Sequence, residues 1–224
     1  MKQSEQIKLS KGCLSLQVPP LGILPMAWNE LCRVGQVQNL PPRHQICTEG
    51  ETVTDAYLVL DGYILLQKSS KTIDIIEPSE SLGAGLLQVD MAKAKYPVSA
   101  TTITPCEVLK IKVSALADVL QNFPDLNLYF FKQIQKRMFF LQTISVITKM
   151  PVAVRVAHFL ITKQHLLEHD FITRKLMGEI LNTTTESVIR TLSDFVNMGY
   201  IIKQKKKTIV TEKLHSYLLC QKTV

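Results

Sequence analysis

A chain of 224 residues that is 46% hydrophobic is too apolar to stay disordered and long enough for one large or two small domains. Its formal charge of +7 is unevenly placed: from Pro151 onward 11 Lys and Arg face 6 Asp and Glu, against 15 and 13 in the first 150 residues. Most of the basic excess therefore sits in the smaller C-terminal part, where it would favour a polyanion.

No apolar run reaches the length of a membrane span, and the polar start Met1–Lys11 lacks a signal-peptide core, so a cytoplasmic protein without membrane partners is expected. The five cysteines, Cys13, Cys32, Cys47, Cys106 and Cys220, are scattered and include no CxxC pair. They suggest neither a zinc knuckle nor a disulfide framework, but reduced and mostly buried thiols.

Residues 1 to about 30 are weakly patterned, with a short helix expected around Met26–Cys32. From Val34 to Ile111, β-prone runs recur at Tyr57–Leu60, Tyr63–Leu66, Ile73–Ile76, Ser99–Ile103 and Cys106–Ile111. Turn residues such as Gly50, Asp61-Gly62, Ser69-Ser70 and Pro78-Ser79 separate them, a spacing that predicts an antiparallel barrel or sandwich. Ser114 is then a candidate cap for a short helix over Ala115–Gln121, broken at Phe123-Pro124.

A long helix is predicted from Asp125 to about Lys149, a stretch without Gly or Pro. Phe131, Ile134, Met138, Leu141, Ser145 and Thr148 alternate by three and four along it, the spacing of a two-helix seam. A second apolar row, Phe130, Phe140, Ile144 and Ile147, would pack back on the barrel. A helix apolar on two sides must bury both, which predicts a homodimer interface on the seam. Met150-Pro151 reads as a hinge, followed by a helix from Val152 to about His165 and a strand around Phe171-Ile172. The expected divisions are 1–123 for the β part, 124–150 for the long helix and hinge, and 151–224 for the C-terminal domain.

Within that last part, Thr173 is a natural N-cap for a helix whose Leu176, Ile180 and Leu181 share a face. Asn182-Thr183-Thr184-Thr185 interrupts it, and Val188, Leu192, Phe195 and Val196 resume the helical period before Gly199 closes the second helix. Two helices around a polar break form a helix-turn-helix, whose second helix enters a DNA major groove. There Glu186 and Arg190, four apart, project from one face. Glu can accept from cytosine N4, and Arg can donate two bonds to guanine O6 and N7. A competing reading makes Thr183-x-x-Glu186 a capping box that turns the carboxylate back on its own backbone. After Gly199, Tyr200–Lys203 and Thr208–Thr211 pair across Gln204–Lys207 as a basic hairpin, with Lys205 and Lys206 at the tip for phosphate or for solvent.

The order of parts resembles the cyclic-AMP receptor/fumarate-nitrate regulator family of bacterial transcription factors over roughly residues 30 to 215. Two blocks carry the likeness: Glu49-Gly50-Glu51…Asp61-Gly62 with Leu82-Gly83, and Ile172-Thr173-Arg174…Thr185-Glu186-Ser187-Val188-Ile189-Arg190 with Gly199-Tyr200-Ile201. The resemblance implies an α+β fold: an N-terminal antiparallel β-roll of the jelly-roll-like cyclic-nucleotide-binding type, a long dimerisation helix and a C-terminal winged helix-turn-helix. It implies a homodimer on a palindromic double-stranded DNA site and contact with RNA polymerase. Glu186 and Arg190 fall on the family's base-reading positions with Ser187 beside them, while Thr173, Thr184 and Thr185 match positions near the DNA backbone. The shared Glu/Arg pair implies half-sites with a G·C-containing core.

The sensor departs from cyclic-AMP-binding relatives. Where those hold ribose with Glu and the cyclic phosphate with an Arg-Ser pair, the aligned residues here are Ala84, Tyr96 and Pro97, and the adenine-facing helix positions are Leu141 and Gln142. Alanine accepts no ribose hydroxyl and proline lacks even its backbone N–H, so no cyclic-AMP binding is expected. The loop with Gly83, Ala84, Gly85, Tyr96 and Pro97 would line a pocket for another ligand, and Lys93 and Lys95 keep an anionic one open. No cofactor is predicted. An iron–sulfur cluster lacks its four clustered cysteines, haem would rest on His44 alone, and thiol sensing on Cys106 or Cys47. A remote rival is His165-Leu-Leu-Glu168-His169, which on one helix would match an inverted zinc-hydrolase pattern.

Overall fold

A computed structural model describes residues 18–83, 94–204 and 207–221. Helix α1 (Pro25–Val34) leads into eight strands: β1 (Gln36–Leu40), β2 (Gln45–Cys47), β3 (Asp55–Asp61), β4 (Ile64–Lys68), β5 (Lys71–Ile76), β6 (Ser81–Leu82), β7 (Ser99–Thr102) and β8 (Cys106–Lys112). They form two four-stranded sheets in the orders β1-β8-β3-β6 and β2-β7-β4-β5, paired antiparallel throughout, which is the expected β-roll. Three of these strands, β1, β2 and β6, were not distinguished in the sequence. Two of them are only three and two residues long.

Turn chemistry sets the register. Ser69 and Ser70 both take positive φ (48° and 63°), the two-residue turn that matches strand twist and joins β4 to β5. Gly62 sits at φ 87°, where an added Cβ would lie 2.3 Å from the Pro105 carbonyl oxygen. No other residue fits there without moving backbone.

Strand β3 is buried on both faces, which explains its unbroken apolar run. Tyr57 and Val59 point between the sheets with Ile64, Leu66, Ile76, Ala100 and Val108. Ala56 and Leu58 point outward, under α1, α2 (Val113–Asn122) and the start of α3 (Pro124–Ile147), among Trp28, Leu31, Leu109, Leu116, Leu126 and Phe130. The expected Ser114 cap is not made: α2 begins at Val113 directly out of β8, with Lys112 in the cap position and no side-chain cap bond.

Beyond the hinge come α4 (Val152–Thr162), a 3₁₀ turn (Gln164–Glu168), α5 (Arg174–Ile180), α6 (Thr185–Asn197), the β9–β10 hairpin (Ile201–Gln204 with Lys207–Val210) and α7 (Glu212–Gln221). Pro151 is the N-cap of α4. That helix ends earlier than expected, and the anticipated strand at Phe171-Ile172 is absent. Phe171 packs on the ring of Tyr63 at 4.7 Å instead, and Ile172 is buried in the core of the C-terminal domain. That core is continuous with the roll, because Ile75 of β5 belongs to the same cluster as Phe159, Leu166, Ile180 and Phe195, and Tyr63, Leu65 and Ile103 pack against it.

Candidate nucleic-acid interface

Local chemistry builds the reading helix. Thr173 Oγ1 accepts from Leu176 N at 3.1 Å and starts α5. Asn182 takes φ 50° in the turn. Arg155 of α4 donates from one guanidinium nitrogen to the carbonyls of Leu181 and Asn182, both at 2.8 Å, where α5 has run out of its own donors. Sequence reasoning missed Arg155, since nothing local links it to a turn 26 residues away.

Thr184, not Thr183, is the N-cap of α6. Its Oγ1 accepts from Ser187 N at 3.1 Å and its hydroxyl donates to Ser187 Oγ at 3.0 Å. The Thr183-x-x-Glu186 capping box is therefore not formed. Glu186 stands exposed in the first helical turn, where the helix dipole favours a carboxylate. Arg190 is exposed one turn on, with half-exposed Ile189 between them. Thr185 is half-buried, and Ser187 is engaged with the cap. The opposite face, Val188, Thr191, Leu192 and Phe195, is buried. At the far end Gly199 (φ 71°) donates to Val196 O at 3.0 Å and Tyr200 to Phe195 O at 2.8 Å, a paired closure that turns the chain into the hairpin. Lys203 is exposed on β9; Lys205 and Lys206 lie outside the described residues.

On α3 the two apolar rows differ in exposure, although Thr148 of the first row is half-buried and its Ile134, Met138 and Leu141 also line a cavity against the β-roll. Phe130 and Ile147 are buried, Ile144 is partly buried, and Phe140 lies 5.2 Å beneath the Lys163 ammonium. Phe131, Ile134, Met138 and Leu141 are 39–48% exposed, Ser145 is exposed, and Phe139 and Val146 beside them are more than 60% exposed.

Between α3 and the β-roll lies a cavity of about 550 Å³ whose lining includes Gly83, Tyr96, Pro97, Leu141 and Gln142. The structure thus brings together these five anticipated pocket residues; Ala84 and Gly85 lie outside the described residues. Sequence reasoning missed Arg137, which also lines the cavity. Tyr96 is buried, and its hydroxyl donates to the Asp55 carbonyl at 2.5 Å, while burial pushes its phenol well above its ordinary pKa. Tyr96 thus brings an uncharged ring with a committed hydroxyl to this cavity.

The roll is also clasped to the C-terminal domain. Glu77 accepts from Lys163 Nζ and His165 Nε2, each at 2.6 Å, and the Tyr63 hydroxyl is 2.8 Å from His169 Nε2. Burial pushes the Glu77 carboxyl up, but the hydrogen bonds and charges of Lys163 and His165 outweigh it and hold the carboxyl below its usual value. The His165/Glu168/His169 metal reading required one helix with both imidazoles on a shared face. Instead His165 and Glu168 sit on the 3₁₀ turn, His169 lies past its end, and the two rings meet different partners. Among the described residues no group of three or more His, Cys, Asp or Glu could hold a metal ion.

An exposed Glu/Arg face on a capped second helix, followed by a hairpin wing and preceded by a β-roll, defines a DNA-binding regulator with a sensor domain. Comparison with known proteins agrees: residues 37–123 match the cyclic nucleotide-binding domain model and residues 154–215 the Crp-like helix-turn-helix domain model. The chain belongs to the cyclic-AMP receptor/fumarate-nitrate regulator family and is a DNA-binding transcription regulator of that type. It is 21% identical over 175 residues to ycf28 of Porphyra purpurea, an HTH-type transcriptional regulator by name, covering 70% of this chain and 71% of the relative. Its fold is similar to FixK2 from Bradyrhizobium japonicum (TM-score 0.68, 18% identity, 82% of this chain and 96% of that one). It is likewise similar to the c-di-GMP-responsive regulator CLP of Xanthomonas campestris (TM-score 0.65, 15% identity, 83% and 98%). No described helix is long and apolar enough to cross a membrane.

Proposed function

We propose that the protein is a homodimeric, sequence-specific regulator that reads a palindromic DNA site and recruits or blocks RNA polymerase in the cytoplasm, without enzymatic activity of its own. The observation that carries this is the shared exposed face of Glu186 and Arg190 on a helix whose caps are complete at both ends. Two copies follow from the exposed seam on α3, which a single chain leaves in water. The cavity beside that seam is the sensor site for a ligand other than cyclic AMP: Tyr96 and Pro97 supply neither the cation nor the hydroxyl a cyclic phosphate needs. No metal, haem or cluster is part of this reading.

The test is selection of bound duplexes from a random library, followed by binding of wild type and Arg190→Ala to the winning sequence. Enrichment of an inverted repeat, lost with the variant, supports the reading. Recovery of no common sequence, or only single half-sites bound by monomers, overturns it.

A further inference from the structure

The cavity between α3 and the roll has a one-sided chemistry. Much of its wall is apolar, from Leu66, Ile73, Leu82, Val98, Met138 and Leu141; Ser81, Gln133 and Gln142 add neutral polar groups, and its described charged lining residues are Lys68 and Arg137, both cations. No carboxylate is among the described lining residues. At about 550 Å³ it is the size of a small-molecule site, far larger than a water pocket.

Arg137 is the residue with capacity to spare. Its guanidinium makes two long ion pairs, 3.5 Å from Nε to Asp74 and 3.6 Å from Nη2 to Glu80. Charge-assisted hydrogen bonds close to roughly 2.7–2.9 Å, and Arg137 donates none to a described residue. Both carboxylates have shorter partners: Asp74 accepts from Ile75 N at 2.8 Å and Glu80 from Lys136 Nζ at 2.7 Å. A planar five-donor fork, partly exposed and under-used, thus stands at the wall of an apolar cavity.

Resting on the reading of this cavity as the sensor site, we propose that it takes a small molecule with an apolar body and a single acidic group, bound through Arg137. The acid completes a bidentate pair that Asp74 and Glu80 leave unmade, and the body covers the aliphatic wall. A neutral ligand of the same shape forgoes the pair. A bulky polyanion brings more charge than one guanidinium and an exposed Lys68 can match, and would bury part of its polar surface against the apolar residues of the wall.

The test uses the full chain and two probes that share one ring framework, the sulfonate 8-anilinonaphthalene-1-sulfonate and the neutral N-phenyl-1-naphthylamine, titrated by fluorescence. Ile73→Trp narrows the cavity and reports whether a probe sits there. The expected result is sulfonate binding that is lost in Ile73→Trp and weakened at least about tenfold by Arg137→Gln, with the neutral probe changed less than about twofold by Arg137→Gln. Equal weakening of both probes, or none for the sulfonate, overturns the acid class while leaving the cavity a binding site. Binding indifferent to Ile73→Trp, or absent for both probes, overturns the sensor reading itself. Should Arg137→Gln not fold, competition on the wild type decides: octanoate must displace the sulfonate probe and octanol must not, and the reverse order overturns the proposal.

Discussion

The Thr72 hydroxyl donates to Glu179 Oε2 at 2.8 Å, joining strand β5 of the roll to the first helix of the helix-turn-helix. Three other contacts repeat the connection, from Glu77 to Lys163 and His165 and from Tyr63 to His169. On the proposed reading, α6 and the wing face the DNA, and the C-terminal domain that holds them is bonded to side chains of the roll.

This clasp is sensitive to acid. The Glu77 carboxyl is held below its usual value in the folded chain, so its contribution to stability is present above the unfolded carboxylate pKa and is lost as pH falls through the lower folded value. Melting temperatures of wild type and Glu77→Gln should converge as pH drops through the acid range and separate near neutrality, with wild type higher. Parallel pH profiles would show that the pair with Lys163 contributes nothing.

Base reading is expected to rest on Arg190. Arg190→Ala should weaken binding to the selected site by roughly 1–3 kcal/mol and relax preference at one base pair. The side chain is exposed, so thermal stability should stay near wild type. A uniform loss across all sequences would mark it as a phosphate contact instead.

The two threonines before α6 should behave differently. Thr184→Ala removes the cap accepted from Ser187 N and should cost about 1 kcal/mol in denaturant unfolding. Thr183→Ala removes no cap and should be near neutral by the same measurement. Equal costs would contradict the placement of the helix start.

Met138 lies in the middle of the exposed seam, so Met138→Glu should give monomers by light scattering at concentrations where wild type is dimeric. Half-site affinity should survive and palindrome affinity should fall. A dimer that persists in the variant would move the interface to another surface.

Calorimetry with cyclic AMP should show no saturating heat at micromolar concentrations, because on the family pattern Tyr96 and Pro97 stand where cyclic-AMP-binding relatives carry their phosphate ligands. A clear isotherm would mean that the other cations of the cavity, Arg137 or Lys68, hold the phosphate in their stead.

The helix-turn-helix was legible because its signals are local. Thr173, the polar break and Gly199 each act within a few residues of where they stand. The two apolar rows of α3 were legible for the same reason, since periodicity survives whatever the helix packs on. Features that depend on distant partners were not. Arg155 acts on carbonyls of another helix, and Phe171 has the look of a strand residue but is taken by the ring of Tyr63. Ser114 could not be judged without knowing that β8 runs straight into α2. Within the sensor, five pocket residues could be assigned from the family pattern, whereas Arg137 could not: a charged residue midway along a helix looks like solvated surface until the roll is placed beside it.

The core that Ile75 shares with Phe159, Leu166 and Phe195 carries a thermodynamic consequence. Beads on a flexible string melt one at a time, each with its own transition. Here unfolding the roll exposes aliphatic surface of its neighbour, so heat should be taken up in one cooperative event whose enthalpy belongs to the whole chain. A mutation deep in either half would then be felt as lost stability in both.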